Sequence, residues 1–455
     1  MPSSIYAAPQ ASASNGVGNG DGKPHVLVVP YPAHGHMLPL LDLAALLTAR
    51  GLALTVAVTA GNVPLLATFL AAFPSVATVV LPFPSSPFLP AGCGENTKDL
   101  PADLFRPFMA SLAALSAPLL SWCKSQPRGV TAIVSDLFMG WTLPLIEELG
   151  VPHVAFSCAN VHYLATTHSL WQPAVDVQGA CARRRGVRDD PADLPMEYRE
   201  LVLHGKLVRD ARGGLRGAPA PRPDGEVGVR GGRAVGRRAQ LRRTWREASD
   251  GPGEGDRVAG RVRRRLRRVR LLRVAAGAVT GAGGVSGRRS SAGSVAFVWA
   301  VRSGTVVPEG FEAAATAASR GMAIRGWAPQ VEILCHRAVG WFLTHCGWNS
   351  VLEATAAGVA MLTWPMGADQ FINASVLAEA GVAVPVAEGA DAVPDAGKMA
   401  SVIAAAVAKE GESVRKRAVE LGRKAATVVA EGGTSHIDLE ELVRVLSDVD
   451  YYLRS

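Results

Sequence analysis

The chain has 455 residues, of which 48% are hydrophobic and 19% charged, and this length suffices for two domains that each bury a core. No apolar run approaches the ~20 residues that a membrane-spanning helix needs, so the sequence predicts no membrane span. The six cysteines form no Cys-x-x-Cys pair and no metal-ligand cluster, which indicates reduced thiols in a cytoplasmic protein and no structural metal.

The N-terminal part of the chain is predicted to be a tail followed by an α/β domain. Residues 1–23 are rich in Ala, Ser, Gly and Asn without a basic-then-apolar pattern, which is typical of a disordered tail and not of a signal peptide. Residues 24–172 form the predicted domain. It opens with a strand over 24–30, a helix over 37–50 and a strand over 52–59, and this alternation indicates a parallel, doubly wound sheet.

Candidate catalytic side chains follow two strands of this domain. His34 and His36 come after the first strand, and Asp136 ends the apolar run 130–135. Functional groups in such sheets gather at the carboxyl ends of strands, and a carboxylate that bonds an imidazole fixes its tautomer. Taken alone, a His at a strand-to-helix turn is more often structural, and Asp136 could be merely a helix N-cap.

The basic charge of the chain is concentrated in its centre. Between Cys181 and Ser290 there are 27 Arg and one Lys against 12 Asp and Glu, a net charge of +16, whereas the whole chain carries +8. Helical and strand periodicity are both absent over a length far beyond an ordinary loop. Three interpretations are open: a solvated basic linker, a nucleic-acid-binding arm, or translation in the wrong frame. The scarcity of Lys and aromatic residues disfavours the first two.

The genetic code favours the frame-shift interpretation. With suitable synonymous codons, residues 268–274 read one base later give Val-Tyr-Val-Ser-Phe-Gly-Ser, a strand-and-loop segment. GC-rich codons read out of frame also yield Arg, Gly and Ala. Residues 173–294 are therefore predicted to be an aberrant Arg/Gly-rich segment that replaces the end of the first domain, the linker and the start of the second. The normal frame is predicted to resume before Val295.

Residues 295–455 are predicted to form a C-terminal α/β domain with a terminal helix over 431–446. Its most informative stretch begins at Trp327, whose flat ring could stack on a uracil. The apolar run 339–344 predicts a buried strand, and His345 follows it directly.

The turn after His345 predicts a pyrophosphate site. Gly347 permits a tight turn, and Asn349 and Ser350 are good helix N-caps. The N–H groups at a helix start, with the helix dipole behind them, favour a bound pyrophosphate. Glu353 comes one turn later, where a carboxylate could take two ribose hydroxyls. At the end of the stretch, Asp369 and Gln370 carry acceptors and donors suited to sugar hydroxyls.

From Trp327 to Gln370 the sequence resembles the signature box of plant UDP-dependent glycosyltransferases, with the family's spacing kept throughout. Thr355 and Ala360 depart from the family pattern, and neither is expected to touch a ligand. Gln370 is similar to the family's glucose-preferring form. The resemblance implies the following UDP-sugar-binding residues: Trp327, Ala328, Gln330, His345, Trp348, Asn349, Ser350, Glu353, Asp369 and Gln370.

The same resemblance assigns the N-terminal candidates. The Pro-x-x-Gly-His-x-x-Pro-like spacing around His36 matches the family's catalytic His, whereas His34 occupies a position commonly filled by Gln. Asp136 matches the Asp that hydrogen-bonds this catalytic His. The implied fold is α/β and GT-B-like, with two facing Rossmann-like domains built on parallel sheets. Acceptor specificity is then expected from loops over 83–96 and 157–171.

The activity implied is transfer of glucose from UDP-glucose to a hydroxyl of a small phenolic acceptor, such as a flavonoid, with inversion. No metal or other cofactor is implied; the Asp-x-Asp pattern at 448–450 is interpreted as a solvated face. The expected partners are the acceptor and the UDP-sugar, without nucleic acid, and the chain is expected to be a monomer. As an alternative, the sequence predicts an impaired pseudo-glycosyltransferase that folds poorly, because a second sheet without its opening strand exposes unpaired backbone groups.

Overall fold

The chain forms two compact units, one of which is discontinuous in sequence. One unit takes the residues up to Ser157 together with those from Leu439, and the other spans Cys158 to Asp438. The predicted tail up to residue 22 and most of the predicted aberrant segment lie outside the described residues. The computed structural model describes residues 23–171 except 88 and 91, then 274–276, 295–301, 307, 309–313, 321–326, 328–389 and 395–447.

The first unit is built on a five-stranded parallel sheet with the order β3-β2-β1-β4-β5. Its strands are nearly continuous apolar runs, as expected for a parallel sheet that helices cover on both faces. The predicted parallel, doubly wound arrangement is therefore confirmed for this unit. The strands are β1 (His25–Val29), β2 (Ala53–Thr59), β3 (Ala77–Leu81), β4 (Ala132–Asp136) and β5 (His153–Phe156).

The first helix starts earlier than its apolar pattern predicts. It begins at His34, not at Met37, because Ala33 already has the extended backbone of an N-cap. The apolar periodicity used for the prediction starts only at Met37, so the predicted helix did not include its first turn. His34 and His36 therefore lie inside this first turn. The helices of the unit are α1 (His34–Thr48), α2 (Val63–Ala72), α3 (Phe105–Ser111), α4 (Ser116–Ser125) and α5 (Leu143–Leu149).

The second unit contains a six-stranded parallel sheet with the order β11-β10-β9-β6-β7-β8. Trp341 and Phe342, 0% and 2% exposed, stand in its core. The strands are β6 (Val274–Ala276), β7 (Phe297–Val301), β8 (Gly321–Arg325), β9 (Trp341–Thr344), β10 (Ala360–Thr363) and β11 (Ala383–Pro385).

The expectation that this sheet lacks its opening strand is wrong. Val274–Ala276 pairs in parallel with β7 on one side and β9 on the other, so it occupies the position that the missing strand should have. A run of one Val and two Ala is too short to stand out after the Arg-rich stretch, and this is why the sequence pattern missed it. The frame-shift interpretation of residues 173–294 remains a prediction.

The later helices include one where a loop was expected. The predicted acceptor loop 157–171 is mostly helix α6 (Val161–Trp171), and its residues from Cys158 onward belong to the second unit. In the described parts of the chain, no helix has the length and apolarity needed to span a bilayer. The remaining helices are α7 (Gln330–Leu334), α8 (Trp348–Ala356), α9 (Gln370–Glu379), α10 (Ala396–Val407), α11 (Glu412–Val428) and α12 (Thr434–Ser447).

Helix α12 passes from one unit to the other, since the division falls between Asp438 and Leu439. Its Glu440 accepts a hydrogen bond from Arg50 Nε at 2.7 Å, just beyond the end of α1. Sequence analysis assigned this helix to the C-terminal domain, whereas its residues from Leu439 group with the first unit. An exposed ion pair of this kind stabilises a fold by only ~0–1 kcal/mol. It therefore contributes more to the position of the helix than to the stability of the protein.

The central place of β6 can be tested with proline. An Ala275→Pro substitution removes a backbone N–H from a strand that is paired on both sides, and we expect it to lower the free energy of unfolding by about 1–3 kcal/mol. Urea unfolding of the full chain measures this, with Ala275→Val as the control that keeps the N–H. Equal urea midpoints for the two variants would show that residues 274–276 do not form this strand.

Candidate active site

The first candidate pair is brought together by two adjacent strands of the first unit. Strands β1 and β4 pair in register, with Val29 opposite Ser135. Both strands therefore end at the same edge of the sheet, where α1 starts after β1 and Asp136 is the last residue of β4. His36 Nδ1 lies 2.9 Å from Asp136 Oδ2, as a donor to the carboxylate. The two residues singled out from the sequence thus form a hydrogen-bonded pair.

The carboxylate of this pair is held at both oxygens. Asp136 Oδ1 accepts the backbone N–H of Phe138 at 2.9 Å, while Oδ2 takes the imidazole. The Asp136 side chain is 0% exposed, whereas that of His36 is 23% exposed. A buried carboxylate fixed in this way selects the imidazole tautomer that has its proton on Nδ1. The Nε2 atom of His36 is then the nitrogen that can take a proton.

Two aromatic rings pack against this imidazole and against each other. Tyr31 packs edge-on against His36 with ring centroids 5.2 Å apart, and Phe138 lies at 4.9 Å with a tilt of 31°. Tyr31 is 1% exposed, and burial, with the negative charge of Asp136 as a smaller cause, raises the pKa of its phenol. It is therefore a neutral ring over the accessible pH range. Sequence reasoning missed both residues, although each lies within five positions of a predicted site residue.

A second group of candidates lies in the second unit around Gln330, the first residue of α7. Gln330 Nε2 donates to Glu353 Oε2 at 2.7 Å and to Ser350 Oγ at 3.2 Å. Glu353 is 7% exposed on α8. The amide of Gln330 therefore orients a buried carboxylate, and the two helices α7 and α8 are joined through polar side chains predicted to bind the same ligand.

The turn after β9 has the tight geometry that its glycine predicts. A Cβ atom at Gly347 would lie 2.5 Å from His345 Nε2, so only glycine lets the imidazole occupy this place. The residue before it, Cys346, has a φ of 65° and is 0% exposed, and burial raises the pKa of its thiol to about 12. The turn therefore holds the imidazole of His345 directly over its own backbone.

The predicted capping role of Asn349 and Ser350 is wrong. The N-cap of α8 is Gly347, which has no side chain, and both polar residues lie inside the first turn. The helix needs no side-chain cap where an anion could take its first N–H groups. Ser350 instead faces Gln330.

A buried amide holds the Asp369 carboxylate in place. Asn373 is 0% exposed on α9, and its Nδ2 donates to Asp369 Oδ2 at 2.9 Å and to Cys346 O at 2.8 Å. Its Oδ1 accepts from the amide of Asn160. Sequence reasoning missed Asn373. Its spacing of four residues from Asp369, one helical turn, is the signal that could have found it.

The side-chain carbonyl of Gln370 accepts hydrogen bonds from the turn that precedes the residue. Its Oε1 accepts the backbone N–H groups of Met366 and Gly367 at 2.9 and 3.2 Å. This loop includes Ala368, whose φ of 52° is unusual for a residue with a side chain. The NH₂ group of Gln370 is consequently the part of the side chain available for a ligand.

The other predicted residues are placed as follows. Trp327 lies outside the described residues, as does the Asp-x-Asp pattern at 448–450. Ala328 is partly buried and packs against the core of the second unit. Trp348 is 4% exposed and belongs to that core, so its ring packs inside the protein next to the turn after β9.

The role of Asn373 can be tested by removing its amide. Asn373→Ala leaves the Asp369 carboxylate and the buried Cys346 carbonyl without this donor, and we expect the free energy of unfolding to fall by about 1–3 kcal/mol. Urea unfolding measures the loss. Ser375→Ala, an exposed position on the same helix, is the matched control and should stay near the parent value. Equal midpoints for the two variants would contradict the assignment.

Comparisons with known proteins point to one family. The family model described as UDP-glucoronosyl and UDP-glucosyl transferase matches residues 296–410. UDP-glycosyltransferase 89B2 of Stevia rebaudiana is 36% identical over 93% of this chain and 98% of its own length. Flavonol 3-O-glucosyltransferase UGT89B1 of Arabidopsis thaliana is also 36% identical, over 93% and 96%.

Solved structures agree with these relatives. Arabidopsis thaliana UGT89C1 complexed with UDP-L-rhamnose has a TM-score of 0.68 at 27% identity, covering 93% of this chain and 99% of that one. The same enzyme complexed with quercetin gives a TM-score of 0.66 at 27% identity, covering 93% and 100%. These similarities confirm the predicted GT-B-like fold with two Rossmann-like domains. The chain belongs to the plant UDP-glycosyltransferase family.

Proposed function

We propose that this glycosyltransferase moves glucose from UDP-glucose to a hydroxyl group of a small phenolic acceptor, with inversion at the anomeric carbon. The observation that carries the proposal is the hydrogen bond of 2.9 Å between His36 and the buried Asp136. The relative named as a flavonol glucosyltransferase and the structure with quercetin support a flavonoid-like acceptor.

In the acceptor half of the reaction, His36 is the general base. Its Nε2 removes the proton of the acceptor hydroxyl while that oxygen attacks the anomeric carbon. The positive charge that develops on the imidazole is stabilised by Asp136, which remains a carboxylate throughout. The bond from the anomeric carbon to the UDP oxygen breaks in the same displacement, so an α-linked donor gives a β-glucoside.

In the donor half, the second unit binds the UDP-sugar. The imidazole of His345 and the first N–H groups of α8, near Asn349 and Ser350, meet the negative charge of the departing diphosphate. Glu353, oriented by Gln330, accepts the ribose hydroxyls. Trp327 stacks on the uracil, with Ala328 beside it. The scheme uses no metal and no further cofactor, since protein groups meet each charge that it develops.

The sugar itself is bound by the pair at the start of α9. Asp369, fixed by Asn373, accepts hydrogen bonds from sugar hydroxyls, and the NH₂ group of Gln370 donates one. Glucose is proposed because Gln370 is similar to the glucose-preferring form of the family. A different donor is seen with one relative: UGT89C1 was solved in complex with UDP-L-rhamnose.

A second candidate function is a pseudo-glycosyltransferase that binds UDP without transferring sugar. The Arg-rich composition of residues 173–294 favours it, because a frame-shifted segment would replace parts of both domains. Titration of UDP followed by an assay of glucose transfer separates the two candidates. Binding without turnover by the full chain, and turnover after correction of the frame, would establish the second.

The catalytic pair gives the first prediction on activity. We expect His36→Ala to lower kcat for quercetin glucosylation by about 10²–10⁴-fold, because general-base help is lost. Asp136→Asn should also lower kcat, since an amide does not stabilise the imidazolium. His34→Ala, on the same turn of α1, is the matched control and should keep its turnover. Full activity of the His36 variant, measured by chromatography of the glucoside, would contradict the mechanism.

Sugar recognition gives the second prediction on activity. Gln370→Glu keeps an oxygen for the N–H groups of Met366 and Gly367 but loses the NH₂ donor, so we expect kcat/KM for UDP-glucose to fall by about tenfold without a change in melting temperature. The unsubstituted chain should prefer UDP-glucose to UDP-rhamnose in the same assay. An equal kcat/KM for the two donors would remove the glucose assignment and leave the transferase assignment intact.

A further inference from the structure

The loop between β3 and α3 returns to the catalytic edge of the first sheet and is fastened there by buried amides. Asn62 follows β2 and is 1% exposed, and Asn96 near the end of the loop is 3% exposed. Asn96 Nδ2 donates to Asn62 Oδ1 at 2.8 Å, and Asn62 Nδ2 donates to the Glu95 carbonyl at 2.8 Å. The same Nδ2 also donates to Thr59 Oγ1 at 2.9 Å.

Near this amide pair, Gly61 and Gly94 lie so close to neighbouring side chains that a Cβ atom would not fit. The N–H of Gly61 donates to Glu95 Oε2 at 2.6 Å, and a Cβ atom at Gly61 would lie 2.9 Å from the Glu95 side chain. A Cβ atom at Gly94 would lie 2.6 Å from Cβ of Asp99. Side chains larger than glycine at positions 61 and 94 would therefore disturb the contact between the end of the loop and the turn that follows β2.

The same end of the loop is joined to the turn that carries the base. The N–H of Thr97 donates to the carbonyl of Pro32 at 3.0 Å, and Pro32 lies between β1 and the first turn of α1, which holds His36. A cavity at this edge has Asn62, Pro32 and Met37 in its lining. Asn62 and Met37, the residue after His36, thus line the same cavity.

Both ends of the loop are held, and some of the described residues between them are exposed. At its start, Phe83 packs on the fully buried Phe108 with ring centroids 5.9 Å apart. Between the ends, Pro87, Pro90 and Gly92 are exposed. A segment that is fixed at both ends and exposed in its middle can present a defined surface to a ligand.

We propose that the Asn62–Asn96 amide pair is a positioning device that fixes the end of the expected acceptor loop against the turn that carries His36, and that this attachment determines which acceptor hydroxyl reaches the imidazole. An amide pair suits this task because each side chain must donate and accept at set places, which specifies one arrangement. The inference rests on the proposed function for the class of acceptor.

The test uses Asn62→Ala, Asn96→Ala and the double variant of the full chain. We expect each to raise KM for quercetin by about tenfold, as for the loss of a buried hydrogen bond, and to change the ratio of glucoside regioisomers. KM for UDP-glucose should stay the same, since the donor-binding residues belong to the second unit. The double variant should be no worse than the worse single variant, because the two amides act as a unit.

Ser111→Ala is the matched control. Ser111 is 8% exposed in the same unit, and its hydroxyl donates to the Phe108 carbonyl within its own helix. The variant thus reports the effect of losing a buried hydrogen bond away from the loop. If the asparagine variants lower only the melting temperature, as is expected of Ser111→Ala, and leave the acceptor KM and the regioisomer ratio unchanged, the proposal is overturned.

Binding separates this proposal from the proposed function. If no form of the chain transfers glucose, the proposed function fails, and quercetin binding followed by tryptophan fluorescence becomes the readout. Weaker binding by about tenfold in both asparagine variants, at the level of one lost hydrogen bond, would still support the positioning role. Unchanged binding in the variants, or no binding by the unsubstituted chain, would overturn it.

Discussion

The structure depends on where parallel strands end. In the first sheet the strand order reverses between β1 and β4, and in the second between β6 and β9. The connections that follow these two adjacent strands run in opposite directions, which opens a crevice between them. In doubly wound sheets, ligands bind in this crevice. His36 and Asp136 follow the strands that flank the first such crevice, and His345 follows a strand that flanks the second. The topology therefore brings together side chains that are a hundred residues apart.

Much of this arrangement could be predicted from the sequence. Continuous apolar runs such as Val26–Val29 indicate buried parallel strands, and polar residues at their ends identify His36, Asp136 and His345 as candidates. The spacing of the box up to Gln370 indicates the family, which the relatives confirm. These signals depend on local pattern, which a single sequence carries in full. Roles for the individual residues remain proposals.

The rest depends on contacts that no local pattern encodes. The strand Val274–Ala276 is recognisable only by its neighbours in the sheet, and the first turn of α1 carries no apolar periodicity. Asn62 and Asn96 are buried polar residues that owe their place to each other, 34 residues apart in sequence. Tyr31 and Phe138 matter here because they pack against His36, and sequence does not give distances. Helix α6 was expected to be a loop because the family resemblance implied an acceptor loop over 157–171.

The discontinuity of the first unit has a consequence for how the protein is made. Its sheet is complete at β5, yet the turns of α12 from Leu439 belong to the same unit, and Glu440 bonds Arg50. Domains usually fold in order as they leave the ribosome. Here the first unit is translated early but must wait for almost the whole chain before its last helix can dock. The order of translation and the order of completion therefore differ in this protein.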